Sequence, residues 1–576
     1  MFDTLIKDGL IVDGTGKPMF ISDIGIKDGY ICEVGKISSA AKNIINADGY
    51  YVTPGWVDIH THYDGQVSWD PLLTPSFWQG VTSVVMGNCG VGFAPVHSNS
   101  HEWLIGLMEG VEDIPGSALS IGMKWEWESF PEYLDAIEKK PHAIDFGCQI
   151  AHGPLRAYVM GERGSNNEKA SQDDIIKMSL LVEDAIKSGA LGFSTSRTML
   201  HLAVDGNPVP GTFASDFELL SLAKAVSKSG KGLFESAPAG ISGDDILAPK
   251  KEISMMSKIS KAANIPVTFL FAQNNKAPND WKELLLQCDE ANSNGAKLYP
   301  QVFGRPTNLL FSFRGPNQFS RFPTYKDLLE LPDEKRFMQL QNPSIKKKIL
   351  SECDPINDAL SDMIQNAWDQ TYVMGDNIDY EPLIDNTISS ISKKKKKSPN
   401  EVAYDEMLKN NCSNYLMFCG LNYTFGNHDA LYEQINHPSS IIGGGDGGAH
   451  VSYICDANVP TFMLTHWTRD RTRGPKFPIE KIVKKQTSDT AKLYGLVDRG
   501  VLKPGFRADI NIIDYENLSL NKPFIVNDLP GNAQRLMATA NGYKQTFVSG
   551  ELVQENGEDT GARPGKLIRS NKIKLS

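Results

Sequence analysis

The chain has 576 residues, a formal net charge of −11, 41% hydrophobic residues and 22% charged residues. This length is too great for one small core and predicts two or more domains, or one large barrel with additions. The negative charge argues against a general nucleic-acid-binding surface, because such surfaces cluster Lys and Arg. The basic run at residues 393–397 is interpreted as a solvated loop, since Ser398-Pro399-Asn400 follows it directly.

Targeting and redox features favour an ordinary soluble protein of the cytoplasm. No apolar stretch is long enough to span a bilayer, so no membrane partner is expected. The first residues, Met1-Phe2-Asp3-Thr4, contain an acid where a signal peptide has a basic region. The eight cysteines are scattered without a CxxC pattern, which fits reduced thiols better than a disulfide scaffold.

Both ends of the chain show short alternating strands joined by tight turns that contain Gly. Residues 5–14 and 23–31 carry Asp-Gly turns and are typical of a β-meander. Residues 508–514 and 545–553 resume the same pattern. Because neither end is large enough to form a good core alone, we predict one small β-sandwich built from residues 1–53 and 496–576.

The middle of the chain, residues 54–495, alternates strand candidates with amphipathic helical stretches. Eight such units predict an α/β fold with a TIM-like (β/α)8 barrel and active residues at the C-terminal ends of its strands. The span 305–439 is longer than one connection requires and predicts a helical insertion or lid. The strand candidates lie at residues 51–57, 80–89, 145–152, 189–197, 232–235, 265–273, 297–302 and 440–446.

The first barrel strand is followed by His60 and His62, and the last is followed by Asp446. Residues i and i+2 of a strand point to the same side, so the two imidazoles can face one cation. Asp446 could add a carboxylate. A lone His-x-His motif is a weak signal, but its place at the mouth of the predicted barrel favours a metal site over two packed histidines.

Six segments of the chain resemble those of the amidohydrolase superfamily, and most of all the N-acyl-D-amino-acid deacylases (D-aminoacylases). In that family a cysteine near the second strand replaces the usual lysine-type bridging ligand, so the resemblance assigns this role to Cys89. The resemblance spans nearly the whole chain in the expected order. Its segments are PGWVDIHTH (54–62), GNCG (87–90), HGPLR (152–156), GALGFS (189–194), DG (446–447) and DRGVLKPGFRAD (498–509).

The chain departs from the deacylase pattern at the ends of strands five and six. The family has metal-binding histidines there, whereas this chain has Glu235 and Gln273. Gln273 is a poor zinc ligand, but Glu235 could supply an oxygen. Two alternatives follow: one Zn²⁺ held by the His-x-His pair, Asp446 and Cys89, or a site that shifts its ligands and uses Glu235. We favour one zinc and leave a second open.

Several polar residues near strand ends are assigned catalytic or substrate-binding roles. Zn²⁺ lowers the pKa of a bound water from about 15.7 to near 7, and Asp446 would accept the water proton and pass it to the departing nitrogen. His152 and His450 would polarise the carbonyl or bind substrate. An arginine could grip a substrate carboxylate, or could instead form a surface salt bridge. The remaining substrate-binding candidates are Arg197, Tyr299 and Arg305.

Three functions are weighed. The first is hydrolysis of small N-acyl amino acids, of D configuration if the resemblance extends that far. The second is opening of a cyclic amide, as in hydantoinases and dihydropyrimidinases. Ser194-Thr195-Ser196 after the fourth strand counts against it, because no carbamylated-lysine motif is evident there. The third is a barrel that has lost catalysis and serves as a binding protein. A homo-oligomeric state is compatible with all three.

Overall fold

The computed structural model describes residues 1–356, 365–375 and 378–572. The predicted insertion and the C-terminal tail therefore lie partly outside the described residues. The strands, in chain order, are β1 (Phe2–Ile11), β2 (Phe20–Lys27), β3 (Tyr30–Gly35), β4 (Ala41–Asn46), β5 (Tyr51–Pro54), β6 (Trp56–Asp58), β7 (Val81–Met86), β8 (Asp145–Cys148), β9 (Ile150–Ala151), β10 (Gly192–Ser196), β11 (Leu233–Ala237), β12 (Val267–Phe271), β13 (Leu298–Phe303), β14 (Thr307–Phe311), β15 (Thr371–Met374), β16 (Tyr415–Leu421), β17 (Ile441–Gly443), β18 (Ile510–Ile513), β19 (Ser519–Leu520), β20 (Phe524–Leu529), β21 (Ala533–Met537), β22 (Ala540–Asn541), β23 (Tyr543–Val548), β24 (Glu551–Glu555), β25 (Glu558–Asp559) and β26 (Leu567–Ile568).

Helices connect most of the barrel strands and fill the insertion. No helix of the described segments is long and apolar enough to cross a membrane. The described α-helices are His101–Glu112, Gly116–Gly122, Phe130–Glu138, His152–Met160, Glu162–Ser165, Gln172–Ser188, Asp216–Ser227, Ala248–Ala263, Asp280–Ser293, Pro323–Leu329, Asp333–Leu340, Pro343–Leu350, Ile388–Lys395, Pro399–Cys412, Asp429–Asn436, Val459–Thr465, Ile479–Gln486 and Ser488–Leu493.

A parallel barrel forms the centre of the protein. β6, β7 and β8 pair in order, and β9, β10, β11, β12, β13 and β17 form the rest of the wall. β8 and β9 are two parts of one barrel strand, interrupted at Gln149. The wall closes where Thr61, after β6, pairs in parallel with Gly447, after β17. The predicted eight-position barrel is therefore confirmed, and all its C-terminal strand ends lie at one mouth.

The barrel elements follow from local sequence signals. All six residues of β7 are buried, as expected for a parallel strand covered on both faces. Helix Gln172–Ser188 begins with a capping box, in which the side chains of Ser171 and Asp174 each accept a hydrogen bond from the other's backbone N–H. It ends at Gly189, whose φ of 118° lies outside the range that most side chains tolerate. These local signals explain why the strands and helices of the barrel could be predicted from the sequence.

The two ends of the chain meet in one nine-stranded sheet. Its order is β25-β24-β23-β18-β5-β1-β2-β3, with β4 paired to β1. β5 and β18 join the ends of the chain in antiparallel register, with Val52 opposite Ile512. An apolar cluster that includes Ile6, Ile24 and Phe547 packs on this sheet. The expectation that both termini build a common β-structure is therefore confirmed. The C-terminal tail then returns to the barrel, where β26 pairs with β8.

The segment between β13 and β17 contains more than helices. β14, β16 and β15 form a three-stranded antiparallel sheet, which the sequence analysis did not predict. Its helices pack on a separate apolar cluster that includes Phe313, Tyr325 and Tyr404, all with side chains nearly inaccessible to solvent. The insertion therefore has its own core, and it carries residues that contact the barrel helices after β17.

Candidate metal and catalytic site

The His-x-His segment and Asp446 are joined by backbone hydrogen bonds at the closing seam of the barrel. The His62 N–H donates to the Gly447 carbonyl (2.7 Å), and the Asp446 N–H donates to the His60 carbonyl (3.0 Å). Asp446 Oδ1 lies 3.4 Å from His60 Nε2 and 3.7 Å from His62 Nε2. Residues almost 400 positions apart in the sequence are thus brought together because strands one and eight are neighbours in a closed barrel.

Cys89 enters the same cluster from the turn after β7. Its Sγ lies 3.4 Å from His60 Nε2, and its φ of 55° places it in the left-handed region. The Asn88 side chain holds the turn by donating to the carbonyls of Thr61 (3.0 Å) and Val85 (2.9 Å). A non-glycine residue in this conformation costs free energy and is often found at functional sites. The turn therefore aims a buried thiol at the histidine pair.

The side chains of this cluster fit a divalent cation. The donor atoms of His60, His62 and Cys89 all lie within 4.8 Å of one another, and the individual separations of 3.4 and 3.7 Å approach the spacing of about 3.3–3.6 Å implied by zinc bond lengths of about 2.0–2.3 Å. Imidazole, thiolate and carboxylate are all common zinc ligands. The cluster is therefore a candidate site for a divalent metal ion.

Two buried partners orient the histidine rings. His60 Nδ1 donates to Gln301 Oε1 (3.0 Å), which leaves the Nε2 lone pair facing Cys89 and Asp446. Glu112 Oε1 lies 3.3 Å from His62 Nδ1, where its charge faces the second ring without a hydrogen bond of good geometry. Such outer partners fix the tautomer and the orientation of metal-binding histidines. Neither residue carries a local sequence signal of this role, since Glu112 ends a helix in a long loop and Gln301 is a mid-strand amide.

The surroundings of the cluster lower the pKa of one histidine and raise the pKa of the other. Burial lowers the pKa of His60 to about 4, so its imidazole is neutral and available as a ligand. Burial also opposes charge on His62, but the Glu112 and Asp446 carboxylates outweigh it and raise the pKa of His62 to about 9. The neighbouring histidines hold the pKa of Asp446 below its usual range despite burial. Asp446 is therefore a carboxylate, as a ligand or base requires.

Glu235 and Gln273 are buried but engaged with other groups. Glu235 Oε2 accepts a hydrogen bond from the Cys89 N–H (3.0 Å), and burial raises the pKa of Glu235 to about 8. Gln273 donates its side-chain N–H to the Pro278 carbonyl (2.9 Å). Glu235 therefore stands behind Cys89 as a neutral carboxylic acid at neutral pH, and Gln273 is committed to a loop. This arrangement favours the one-metal alternative.

His152 belongs to a buried structural network. Its Nδ1 lies 2.9 Å from Thr195 Oγ1 and its Nε2 lies 3.0 Å from Glu218 Oε1, and Glu218 also pairs with Arg156. Both ring nitrogens are therefore occupied by protein partners. The role of His152 in polarising a substrate carbonyl stays a prediction, and it would require the ring to exchange one of these partners for substrate.

The two arginines proposed to bind substrate are also paired. Arg305 is buried, forms a 2.6 Å ion pair with Asp456 and stacks 4.0 Å from the Tyr380 ring centroid. Arg197 pairs with Glu252 at 2.9 Å. Neither pair is the exposed surface salt bridge considered as the alternative. Because each guanidinium already faces a carboxylate, binding of a substrate carboxylate would require it to share or exchange that partner, and this role stays a prediction for both.

The other two substrate-binding candidates differ in position. Tyr299 precedes Gln301 by two residues on β13, which places it about 7 Å further from the mouth, and its contact with substrate stays a prediction. His450 remains at the mouth, with Nε2 3.6 Å from Glu112 Oε2 and a side chain 27% exposed. A residue that the sequence analysis missed, His201, also lies near the cluster and contacts Ser196 Oγ through Nδ1 (2.9 Å). Burial lowers the pKa of His201 to about 3.

Comparisons with known proteins agree with this architecture. A model described as the amidohydrolase family matches residues 43–554. The chain belongs to this family. An uncharacterised protein of Mycobacterium tuberculosis strain H37Rv is 26% identical over 90% of this chain and 85% of its own length. The D-aminoacylase of Alcaligenes xylosoxydans xylosoxydans is 24% identical over 98% of this chain and 97% of its own length.

A solved structure supports the fold of this amidohydrolase independently. The N-acyl-D-glutamate deacylase of Bordetella bronchiseptica, crystallised with zinc and a phosphonate mimic of the tetrahedral intermediate, superposes with a TM-score of 0.66. The match has 19% sequence identity and covers 99% of each chain. The barrel and the terminal sheet are thus an arrangement shared over the full length.

Glu112 provides the first test of metal binding by this amidohydrolase. We expect Glu112→Gln to weaken zinc affinity by about 10–100-fold, because loss of an outer carboxylate typically has that effect on a ligating histidine. Competition with a chelator of known affinity measures the change. Glu102→Gln, at an exposed position of the same helix, is the matched control. Equal zinc affinity in both variants would show that Glu112 does not support His62.

Proposed function

We propose that this amidohydrolase hydrolyses the amide bond of N-acyl amino acids and releases a carboxylate and a free amino acid. The proposal is carried by one observation, the convergence of His60, His62, Cys89 and Asp446 at the C-terminal end of a parallel barrel. Cys89 Sγ and Asp446 Oδ1 each lie 3.4 Å from His60 Nε2, and Asp446 Oδ1 lies 3.7 Å from His62 Nε2. That end is where barrel enzymes carry their active residues.

The four converging side chains would hold one divalent cation, for which Zn²⁺ is the best chemical match. Such a cation supplies a Lewis acid that polarises the amide carbonyl and lowers the pKa of a water molecule to about 7. Gln301 keeps the His60 proton on Nδ1 and presents the Nε2 lone pair of that ring. His62, whose pKa the neighbouring carboxylates raise to about 9, would release a proton when it binds the cation.

Asp446 is the group that moves the proton. Hydrolysis adds HO to the carbonyl carbon and H to the nitrogen, so the proton lost by the water must reach the departing amine. The Asp446 carboxylate is charged and lies beside both histidine Nε2 atoms. It accepts the proton from water through Oδ1 or Oδ2 and returns it to the amide nitrogen as the C–N bond breaks.

The proposed substrate class rests on similarity to known proteins, and the D configuration is the most specific element of that proposal. The full-length relative named D-aminoacylase supports an N-acyl-D-amino acid. One metal suffices on this proposal, because Glu235 accepts the Cys89 N–H and Gln273 donates to a loop carbonyl. A second ion would have to be held by the remaining Glu235 oxygen, on a carboxyl group whose pKa burial raises to about 8.

The test is turnover by the purified, zinc-reconstituted protein. Paired N-acetyl-D- and N-acetyl-L-amino acids, a hydantoin and dihydrouracil are offered, and release of amine or acid is measured. We expect hydrolysis of the D-substrates, lost in His60→Ala and retained in His437→Ala. His437 is a matched control because it lies away from the cluster and pairs with Asp289 at 3.1 Å.

The remaining outcomes separate the alternatives. Ring opening without deacylation would replace the proposal with a cyclic amidase. Hydrolysis of L-substrates alone would overturn the assigned configuration. Absence of turnover on every substrate, in a folded protein that contains zinc, would contradict the proposal and favour a barrel that only binds ligands.

A further inference from the structure

A second group of metal-ligand side chains lies outside the barrel mouth, at the junction of the insertion and the barrel. Glu381 and His428 belong to the insertion, and His466 ends a helix that follows β17. His428 Nδ1 lies 3.0 Å from His466 Nε2. Glu381 Oε2 lies 3.3 Å from His466 Nε2 and 3.8 Å from His428 Nδ1. Three donor atoms thus form a compact triangle.

The dimensions of this triangle match one face of a tetrahedral metal site. Zinc bonds of about 2.0–2.2 Å to nitrogen and oxygen imply ligand separations of about 3.3–3.5 Å. The three observed separations of 3.0, 3.3 and 3.8 Å scatter around that value. Two histidines and one glutamate are also a ligand set used by zinc enzymes with an open fourth position.

The Glu381 carboxylate is held in place before any cation arrives. Its Oε1 accepts the His428 backbone N–H (2.9 Å), and both of its oxygens accept from Arg471 (3.3 Å each). Arg471 also pairs with Asp429 at 2.8 Å. Arg471 thus divides its guanidinium between Glu381 and the exposed Asp429, which leaves the Glu381 Oε2 charge only partly balanced by this pair. Hydrogen-bonded carboxylates of this kind are typical supports of metal ligands.

Space for a fourth ligand lies next to the triangle. A cavity of about 500 Å³ is lined by Glu381 and His466, together with parts of the helix after β17 and residues 519–522. The chain from His466 to Asp470 forms a π-helical turn, a local irregularity that often occurs at functional sites. His428 is fully buried, whereas the side chain of His466 is 14% exposed. A water molecule or a small ligand can therefore reach the open side.

We infer that Glu381, His428 and His466 bind a divalent cation of the zinc type, separate from the cation at the barrel mouth. The site shares no ligand with the cluster of His60, His62, Cys89 and Asp446. Because two ligands come from the insertion and one from the barrel, the cation ties the insertion to the barrel. Its fourth position is open to the cavity.

Metal stoichiometry of the full chain tests this inference. His466→Ala is compared with His437→Ala as the matched control, and the zinc content of each purified protein is measured after saturation and removal of excess metal. We expect one equivalent less in His466→Ala. Glu381→Gln, which keeps the shape of the side chain, is a second variant in case the first fails to fold. Equal zinc content in a folded variant and the control would overturn the inference.

A spectroscopic arm separates this site from the barrel site. In a Cys89→Ser/His62→Ala background, Co²⁺ is added and the visible absorption of four-coordinate Co²⁺ is recorded. We expect the absorption band to survive in this background and to disappear when His466→Ala is added. Loss of the band in the background alone would show that the barrel holds all the metal. The trio would then be a hydrogen-bonded network, and the inference would be wrong.

The proposed connection of the insertion to the barrel through the cation can also be tested by a structural measurement that does not depend on activity. Removal of metal from the Cys89→Ser/His62→Ala protein is expected to accelerate proteolytic cleavage within residues 305–439, and added Zn²⁺ should restore the slower rate. The same protein carrying His466→Ala is expected to be cleaved at the faster rate with or without Zn²⁺. A cleavage rate that Zn²⁺ leaves unchanged in the first protein would contradict the tie.

Discussion

Asp446→Asn is expected to lower kcat for N-acyl amino acid hydrolysis by about 10²–10⁴-fold, the usual contribution of a general acid–base group. Asparagine retains an oxygen at nearly the same place, but its amide cannot accept the proton of the attacking water. KM should change much less than kcat, because the carboxylate acts on the reacting atoms. Steady-state kinetics, with the zinc content of each preparation measured in parallel, provides the test.

The control for this prediction is Asp205→Asn, an exposed aspartate in the loop after β10. It should leave both kcat and zinc content unchanged. If Asp446→Asn loses zinc as well as activity, Asp446 is primarily a ligand and its role in proton transfer is unsupported. A variant that keeps its zinc and its full kcat would exclude Asp446 as the proton carrier.

Asp145→Ala is expected to reduce the free energy of unfolding by about 3–5 kcal/mol, the cost typical of breaking a buried ion pair by removing one partner. Asp145 begins β8, is 1% exposed, and pairs with Arg499 at 2.6 Å and with Arg507 at 2.7 Å. Its Oδ1 also accepts the Lys566 backbone N–H (2.8 Å). The substitution leaves two buried guanidinium groups with Asp509 as the one buried carboxylate that both still face among the described residues.

Urea unfolding followed by circular dichroism measures this loss. The matched control is Asp498→Ala, because Asp498 contacts the same Arg499 at 3.0 Å but has a side chain that is 33% exposed. Solvent screens that pair, so about 1 kcal/mol or less should be lost. Equal destabilisation by the two substitutions would show that Asp145 is no more important than a surface partner. The result bears on the fold, since this network joins the terminal sheet to the barrel.

The two stabilising arginines lie in the segment DRGVLKPGFRAD, which the sequence analysis used only as a mark of resemblance. The structure supplies a physical reason for it, because Arg499 and Arg507 converge on a carboxylate more than 350 residues away along the chain. A motif of this kind can be recognised without its partner being identifiable. Periodicity reports which residues share a face, but it carries no information on which distant side chain lies opposite.

The same limit applies to the other side chains that were assigned to the mouth. Arg197, Arg305 and His152 were correctly located near strand ends, yet each is engaged by a carboxylate between 55 and 151 residues away. Whether a residue lies near the mouth depends on where its strand ends, and this can be predicted from the neighbouring sequence. Availability to substrate depends on which helix or loop packs against the side chain, and that is decided only by the assembled barrel.

Short-range patterns were sufficient for the barrel, for the common sheet of the two termini and for the candidate ligands His60, His62 and Asp446. These features rest on alternation, on turn chemistry and on the rule that parallel strands end at one mouth. Cys89 required the family resemblance, because an isolated buried cysteine has no local signature. Glu112 and Gln301, and the trio of Glu381, His428 and His466, emerged only in three dimensions. Their positions depend on tertiary packing between distant segments, which no local period encodes.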